Sequence, residues 1–318
     1  GEGVLVVTPN RVVLWTDLRY TEQAAQECGH TVQVVNHAGH PAAAAAATLA
    51  EDDIGAAAYE ADYMPHTFFE RLAETGECCF EGVSLQGIRA VKEPYEVEAT
   101  RKAGCIAAAA FADLLAYIKP GVTERELAAR LESNMLLAGS EEKAFDTIVA
   151  SGRRSAMPHG TATDKAIAVG EFITFDFGAV CDGYHSDMTR TVVVGKADDE
   201  QKRFYNLVLE GQRLGIDAVR AGAVCSEVDG VVRRFFEKHE KAQYFTHALG
   251  HGTGLEIHEQ PVLSPRSQSV LKKNMIVTVE PGLYIEGKYG VRIEDSLVVT
   301  AEGCEILTGA SKELTELV

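Results

Sequence analysis

"FITFDFGAVCDGYHSDMTRTVVV", Phe172 to Val194, is the stretch that decides the fold. Its residues alternate, with Ile173, Phe175 and Phe177 on one face of a strand and Thr174 and Asp176 on the other. A turn centred on Cys181 and Asp182 sets Asp176 opposite Asp187, and Thr174 opposite Thr189. Two carboxylates then stand about 5 Å apart on one face. The same construction on "MIVTVEPGLYIEGKYGVRIEDSLVV", Met275 to Val299, centres on Gly287 and sets Glu280 opposite Glu294.

Like charges facing one another destabilise a sheet. One such pair reads equally well as solvated surface acids; two pairs with matched spacing call for a cation between them or for bound protons. The third informative stretch is "HALGHGTGLEIHE", His247 to Glu259, with three histidines and three glycines. His247 and His251 are four apart, as on a metal-binding helix, but each interior glycine costs a helix about 1 kcal/mol. An extended or looping segment whose backbone approaches something closely is the better reading. Four carboxylates and one imidazole make an oxygen-rich set suited to Mn²⁺, Co²⁺ or Zn²⁺ in a two-metal site.

Working outward, the order of elements occurs twice. A helix and "PGVTERELAARLE" lead to the strand "FDTIVASG" and the first hairpin; a helix from Gln201 and "AGAVCSEVDGVVRRFFE" lead to the strand "YFTHALG" and the second. This is a pseudo-repeat within one domain. "TERE", Thr123 to Glu126, is a capping box, and Pro94 suits the first turn of a long helix. Ahead of this lies a smaller α/β unit: two strands around a Pro9-Asn10 turn, a helix from Thr21, and a strand from Thr31 to Val35. The expected domains are residues 1–88 and 89–318.

Composition narrows the function. A net charge of −17 over 318 residues argues against nucleic acid and anionic membranes, which need clustered Lys and Arg. No apolar run reaches membrane-spanning length. Seven scattered cysteines with no CxxC pair suit a reducing, cytoplasmic setting.

"FDFG", "SDMTRT", "HALGHGTGLEIHE", "TVEPG" and "GVRIED" together resemble the pita-bread metallopeptidases of family M24, specifically the Xaa-Pro group of aminopeptidase P and prolidase. The resemblance covers nearly the whole chain. It implies an α/β (α+β) architecture: a pita-bread (creatinase/aminopeptidase) catalytic domain with a pseudo-twofold repeat, behind a creatinase-like N-terminal domain that begins here inside its second strand and so looks incomplete. It makes Asp176 the ligand of one divalent cation, Asp187 and Glu294 bridging carboxylates, and His251 with Glu280 the ligands of the other, manganese being expected ahead of cobalt or zinc. His247, His258 and His159 correspond to histidines facing the substrate. Glu280 is placed to move the proton of an activated water, and Arg292, two residues from Glu294, to orient a bridging carboxylate. A homodimer acting on proline-containing peptides is implied. In prolidases of similar sequence an arginine follows the histidine of "GLEIHE" by four residues; here that place is Val262, with Arg266 close by. Removal of the N-terminal residue from longer Xaa-Pro peptides is therefore expected, with Xaa-Pro dipeptide cleavage as the alternative. Metal-free creatinases, non-catalytic relatives that bind histones or other proteins, and methionine aminopeptidases are the more distant readings.

Overall fold

The computed structural model describes residues 3–74 and 78–317, and the chain divides into two compact units, Gly1–Leu85 and Gln86–Val318. In the first, β1 (Gly3–Val7) pairs antiparallel with β2 (Val12–Thr16), and α1 (Thr21–Glu27) leads to β3 (Gln33–Asn36), parallel to β2. Then come α2 (Pro41–Glu51), β4 (Ala56–Glu60), α3 (His66–Ala73) and β5 (Cys79–Val83), with β4 parallel to β5. Pro41 takes the first position of α2, and the His40 ring accepts from the Ala42 amide at 3.2 Å. The helix buries Ala42, Ala45, Ala46 and Leu49 against Val6 and Leu72.

The second unit opens with α4 (Gln86–Arg89), α5 (Pro94–Leu115) and α6 (Glu124–Leu137), followed by β6 (Ile148–Ser151), β7 (Phe172–Phe177), β8 (Val180–Cys181), β9 (Tyr184–His185) and β10 (Met188–Val194). Next are α7 (Asp199–Ala218), α8 (Cys225–Lys238), β11 (Gly250–Gly252), β12 (Glu259–Leu263), β13 (Ile276–Val279), β14 (Gly282–Ile285), β15 (Tyr289–Arg292), β16 (Asp295–Val299), β17 (Cys304–Ile306) and β18 (Thr315–Leu317). One sheet runs β18-β10-β7-β6, the other β12-β11-β13-β16-β17. Each half thus places two helices before a long hairpin whose tip becomes a separate two-stranded arm, β8–β9 or β14–β15. Phe175 and Phe177 pack on Phe111 of α5, as the alternation requires, and the Thr123–Glu126 capping box starts α6.

Two expectations are corrected. Asp176 faces Thr189, and Thr174 faces Thr191, so Asp187 stands two residues nearer the hairpin tip than the position opposite Asp176. The turn is Asp182–Gly183, both at positive φ of 51° and 77°, between Cys181 and Tyr184. Asp-Gly is the pair that a two-residue hairpin turn of this hand selects. The strand expected over Tyr244–Gly250 begins only at Gly250, because Ala242–Tyr244 forms a 3₁₀ turn. In the second hairpin, Val279 faces Asp295 and Gly282 faces Arg292, the register that centres on Gly287.

The glycines of the histidine stretch have a steric reason. A Cβ on Gly250 would strike the Thr278 carbonyl of β13, and one on Gly252 the Gln260 carbonyl of β12. Backbone alone fits between those strands. Gly250→Ala is expected to destabilise the metal-free protein by about 1–3 kcal/mol, whereas Gly309→Ala, where an added Cβ meets nothing, stays within about 0.5 kcal/mol. Thermal unfolding of the two variants compares them; equal melting points would remove the steric account.

Candidate metal centre

The sheet breaks position the acids. Asp176 is the penultimate residue of β7, Asp187 joins β9 to β10, Glu280 joins β13 to β14, and Glu294 joins β15 to β16. Asp176 is still paired, with Thr189 on one side and Ile148 on the other, whereas Asp187, Glu280 and Glu294 fall where ladder pairing is interrupted and their side chains are released from strict alternation. His251 enters from β11. Its Nδ1 donates to the Gly252 carbonyl at 2.9 Å, which leaves the lone pair on Nε2. That Nε2 lies 3.5 Å from Asp187 Oδ2 and 3.5 Å from Glu280 Oε1. Ligand atoms of Asp187, His251 and Glu294 all fall within 4.8 Å of one another.

The electrostatics show what such a gathering costs. Burial pushes the Asp187 carboxyl far above the usual carboxylate range, and Asp176 and Glu280 add to it. Glu294 is raised by burial, then by Asp187 and Glu280, although it accepts from Thr189 Oγ1 at 2.6 Å. Burial lifts Glu280 to about 8 against the pull of Arg292. Asp176 Oδ1 is buried without a hydrogen-bond partner among the described residues. Burial holds His251 neutral, its pKa lowered to about 4. Repelling carboxylates, an orphaned oxygen and an aimed imidazole lone pair fit divalent cations of the hard or borderline kind.

The other site residues surround this cluster. Arg292 is buried; its Nη2 donates to Asp176 Oδ2 at 2.7 Å, its Nε to Thr189 Oγ1 at 3.0 Å, and its Nη1 to the Tyr284 hydroxyl at 2.8 Å. The direct carboxylate partner of Arg292 is Asp176, and its hydrogen-bonded path to Glu294 runs through the Thr189 hydroxyl. His247 Nδ1 donates to the Ala248 carbonyl at 2.7 Å, so Nε2, 3.0 Å from the Tyr284 hydroxyl, accepts from it. Burial, with Arg292 beside it, lowers His247 to about 4. His258 is exposed, its ring 4.4 Å from that of His251. His159, also exposed, is near enough for its charge to weigh on both His247 and His258. Sequence reasoning missed Ser296, whose hydroxyl donates to the Asp187 carbonyl at 2.9 Å and accepts from the Asp187 amide at 3.2 Å. The serine's place beside "ED" in β16 was the only signal for it.

A two-hairpin sheet pair that converges acids and a histidine on one buried pocket defines the pita-bread class of metallohydrolase. Residues 98–301 match the model of Metallopeptidase family M24, and residues 1–91 that of the Creatinase/Prolidase N-terminal domain. The chain belongs to metallopeptidase family M24. It is 40% identical over 254 residues to the Xaa-Pro dipeptidase of Pyrococcus horikoshii, covering 79% of this chain and 72% of that one. Among solved structures it resembles an Xaa-Pro dipeptidase from Bacillus anthracis, with a TM-score of 0.96, 41% identity and coverage of 100% of this chain and 90% of that one. An X-Pro aminopeptidase from Thermotoga maritima superimposes with a TM-score of 0.94 at 39% identity, covering 99% and 90%.

The raised carboxylates predict a pH dependence whose sign is fixed. Their stabilising contribution is complete below the unfolded values near 4 and is lost as pH rises through the folded values, about 8 for Glu280. Cations that keep the carboxylates ionised remove that loss. The rise in melting temperature on adding Mn²⁺ to metal-free protein should therefore grow steadily from pH 5 to 9. An increment that is flat over this range would contradict the assignment of the cluster as the metal site.

Proposed function

We propose that this chain is a dinuclear metallo-exopeptidase that cleaves the bond between an N-terminal residue and proline, acting as an Xaa-Pro dipeptidase. The observation that carries it is the convergence of Asp176, Asp187, His251, Glu280 and Glu294, which would hold two divalent cations, manganese by preference. Bound there, divalent cations would lower the pKa of a water and polarise the scissile carbonyl. Glu280 is the carboxylate that would accept a proton from the attacking water and pass it to the leaving proline nitrogen. His258, with no side-chain hydrogen bond among the described residues, is free to donate to the oxyanion. His247 has both nitrogens engaged and acts through Tyr284 and Arg292, which hold Asp176 in place. His159 borders the substrate from the opposite loop.

The dipeptidase form departs from the preference for longer peptides drawn from the sequence. Relatives named Xaa-Pro dipeptidase match over most of the chain at about two residues in five. Aminopeptidase action stays as the second reading for one reason. Val262 pairs directly with His251 across β11 and β12, so it shares a face with a proposed ligand, and a valine there offers no charge to a free proline carboxylate. Arg266, exposed beyond the end of β12, is the nearest cation in sequence to take that part. A dimeric, cytoplasmic enzyme completes the proposal; the seven free cysteines suit a reducing compartment.

Purified protein should carry about two transition metals per chain and cleave Ala-Pro or Met-Pro with higher kcat/KM than the matching tripeptides. The reverse order would establish the aminopeptidase reading; inactivity on every Xaa-Pro peptide with two metals bound would overturn both.

Asp187→Asn is expected to abolish activity and lower metal content together. His258→Ala should retain metal and lose on the order of 100-fold in kcat. Metal lost from His258→Ala but kept by His251→Ala would exchange the two assignments.

A further inference from the structure

Two buried acids outside the cluster have the same surroundings. Glu124 is the first residue of α6, and Asp229 lies one turn into α8; α6 and α8 are the second helices of their respective halves. Both side chains are fully buried. Neither caps its helix: Thr123 does so for α6, and Asp229 sits beyond the cap of α8.

The Glu124 carboxylate accepts from the Ser151 amide and hydroxyl at 2.8 Å each, from the Thr163 amide and hydroxyl at 3.1 and 2.7 Å, and from Arg154 Nε at 3.0 Å. Ser151 and Thr163 are the two ends of the loop that carries His159. Arg154 then reaches across that loop to the Thr161 carbonyl at 2.5 Å. In the second half, Asp229 accepts from the Leu249 amide at 3.1 Å and from Arg233 at 2.6 and 3.1 Å. Arg233 goes on to the His247 carbonyl at 2.5 Å and the Phe245 carbonyl at 3.3 Å. An ordinary exposed ion pair one helical turn apart would not be so dry, nor would its arginine continue to two carbonyls of another segment. Burying a carboxylate is tolerated only when donors saturate it. Here the donors are the backbone of a histidine-bearing loop and the arginine that grips it.

We propose that each half carries a buried acid–arginine clamp, Glu124 with Arg154 and Asp229 with Arg233, which fixes the backbone presenting His159 in the first half and His247 in the second. These are positioning residues, and only their kinetic effect rests on the peptidase reading above. The pseudo-repeat has kept the device while changing the acid and the register of the arginine.

Amide hydrogen exchange on the metal-free protein tests the clamp without activity. Glu124→Gln, and separately Arg154→Gln in case the buried variant does not fold, should speed exchange over residues 152–163 by about tenfold or more and leave 245–249 unchanged; Asp229→Asn should do the reverse. Uniform acceleration, or none, overturns the proposal. Kinetics of the manganese-loaded protein on an Xaa-Pro peptide give a second readout. Glu124→Gln should lower kcat about tenfold at unchanged metal content, Glu124→Asp should recover part of the loss, and the same change in a His159→Ala background should cost less than about twofold. Losses that multiply would show that Glu124 does not act through His159. Segment-specific exchange in a protein inactive on all such peptides would sink the peptidase reading and leave the clamps standing.

Discussion

The ion pair between Arg190 and Asp295 joins the two halves, and the site depends on it. Arg190 is buried on β10 and uses all five of its N–H groups. Nε donates to the Ser311 carbonyl, Nη1 to the carbonyls of Thr189 and Glu294, and Nη2 to Asp295 Oδ1 and the Ala310 carbonyl, at 2.5–3.0 Å. Asp295 on β16 is met in turn by Gln212 of α7, Thr308 and Lys312. A buried ion pair repays its desolvation only when its remaining donors and acceptors are filled, and here they are. First-half strand, second-half strand and C-terminal segment share one hydrogen-bonded knot. Two of its bonds fall on the backbone of Thr189 and Glu294, beside the acid cluster, so the spacing of the cluster is set from behind.

That rigidity is needed because the cluster works against folding. Asp187, Glu280 and Glu294 repel one another at low dielectric, and Arg292, hydrogen-bonded to the neighbouring Asp176, offsets the repulsion only in part. A pliant scaffold would relieve the strain by letting the carboxylates turn to water. Strands locked by a saturated knot, by the Ser296 bonds to Asp187 and by the glycine-thin contact of β11 with β13 do not permit it. The strain is taken up as proton affinity, and a cation can replace those protons.

Much of this was legible in the sequence for a definite reason. Period-two alternation and turn position together fix which residues face each other, and for Glu280 and Glu294 the Gly287 turn carries the whole answer. The same reasoning slipped at Asp176 because Asp182–Gly183 was passed over in favour of Cys181–Asp182, although only the former has the backbone freedom that the turn requires. The lateral slip kept both acids on the right face, since facing partners moved by an even step. That His247–Glu259 is not a helix was readable from glycine cost alone. The 3₁₀ turn before it was not, nor were Arg190, Glu124 and Asp229. A buried charge looks like a surface charge in sequence until the packing around it is known.

The two hairpin arms have a consequence for how such a chain can change length. Across each interruption the pairing resumes in the same register: Phe177 faces Met188 and Val180 faces His185 in one arm, Val279 faces Asp295 and Gly282 faces Arg292 in the other. Equal numbers of residues bridge the gap on both strands. Insertions or deletions in the arms therefore leave the acids aligned when they come as matched pairs, one residue from each strand. A single-residue change on one strand turns every side chain beyond it to the opposite face. The arms can lengthen, shorten or acquire new tips over evolutionary time, but by even steps.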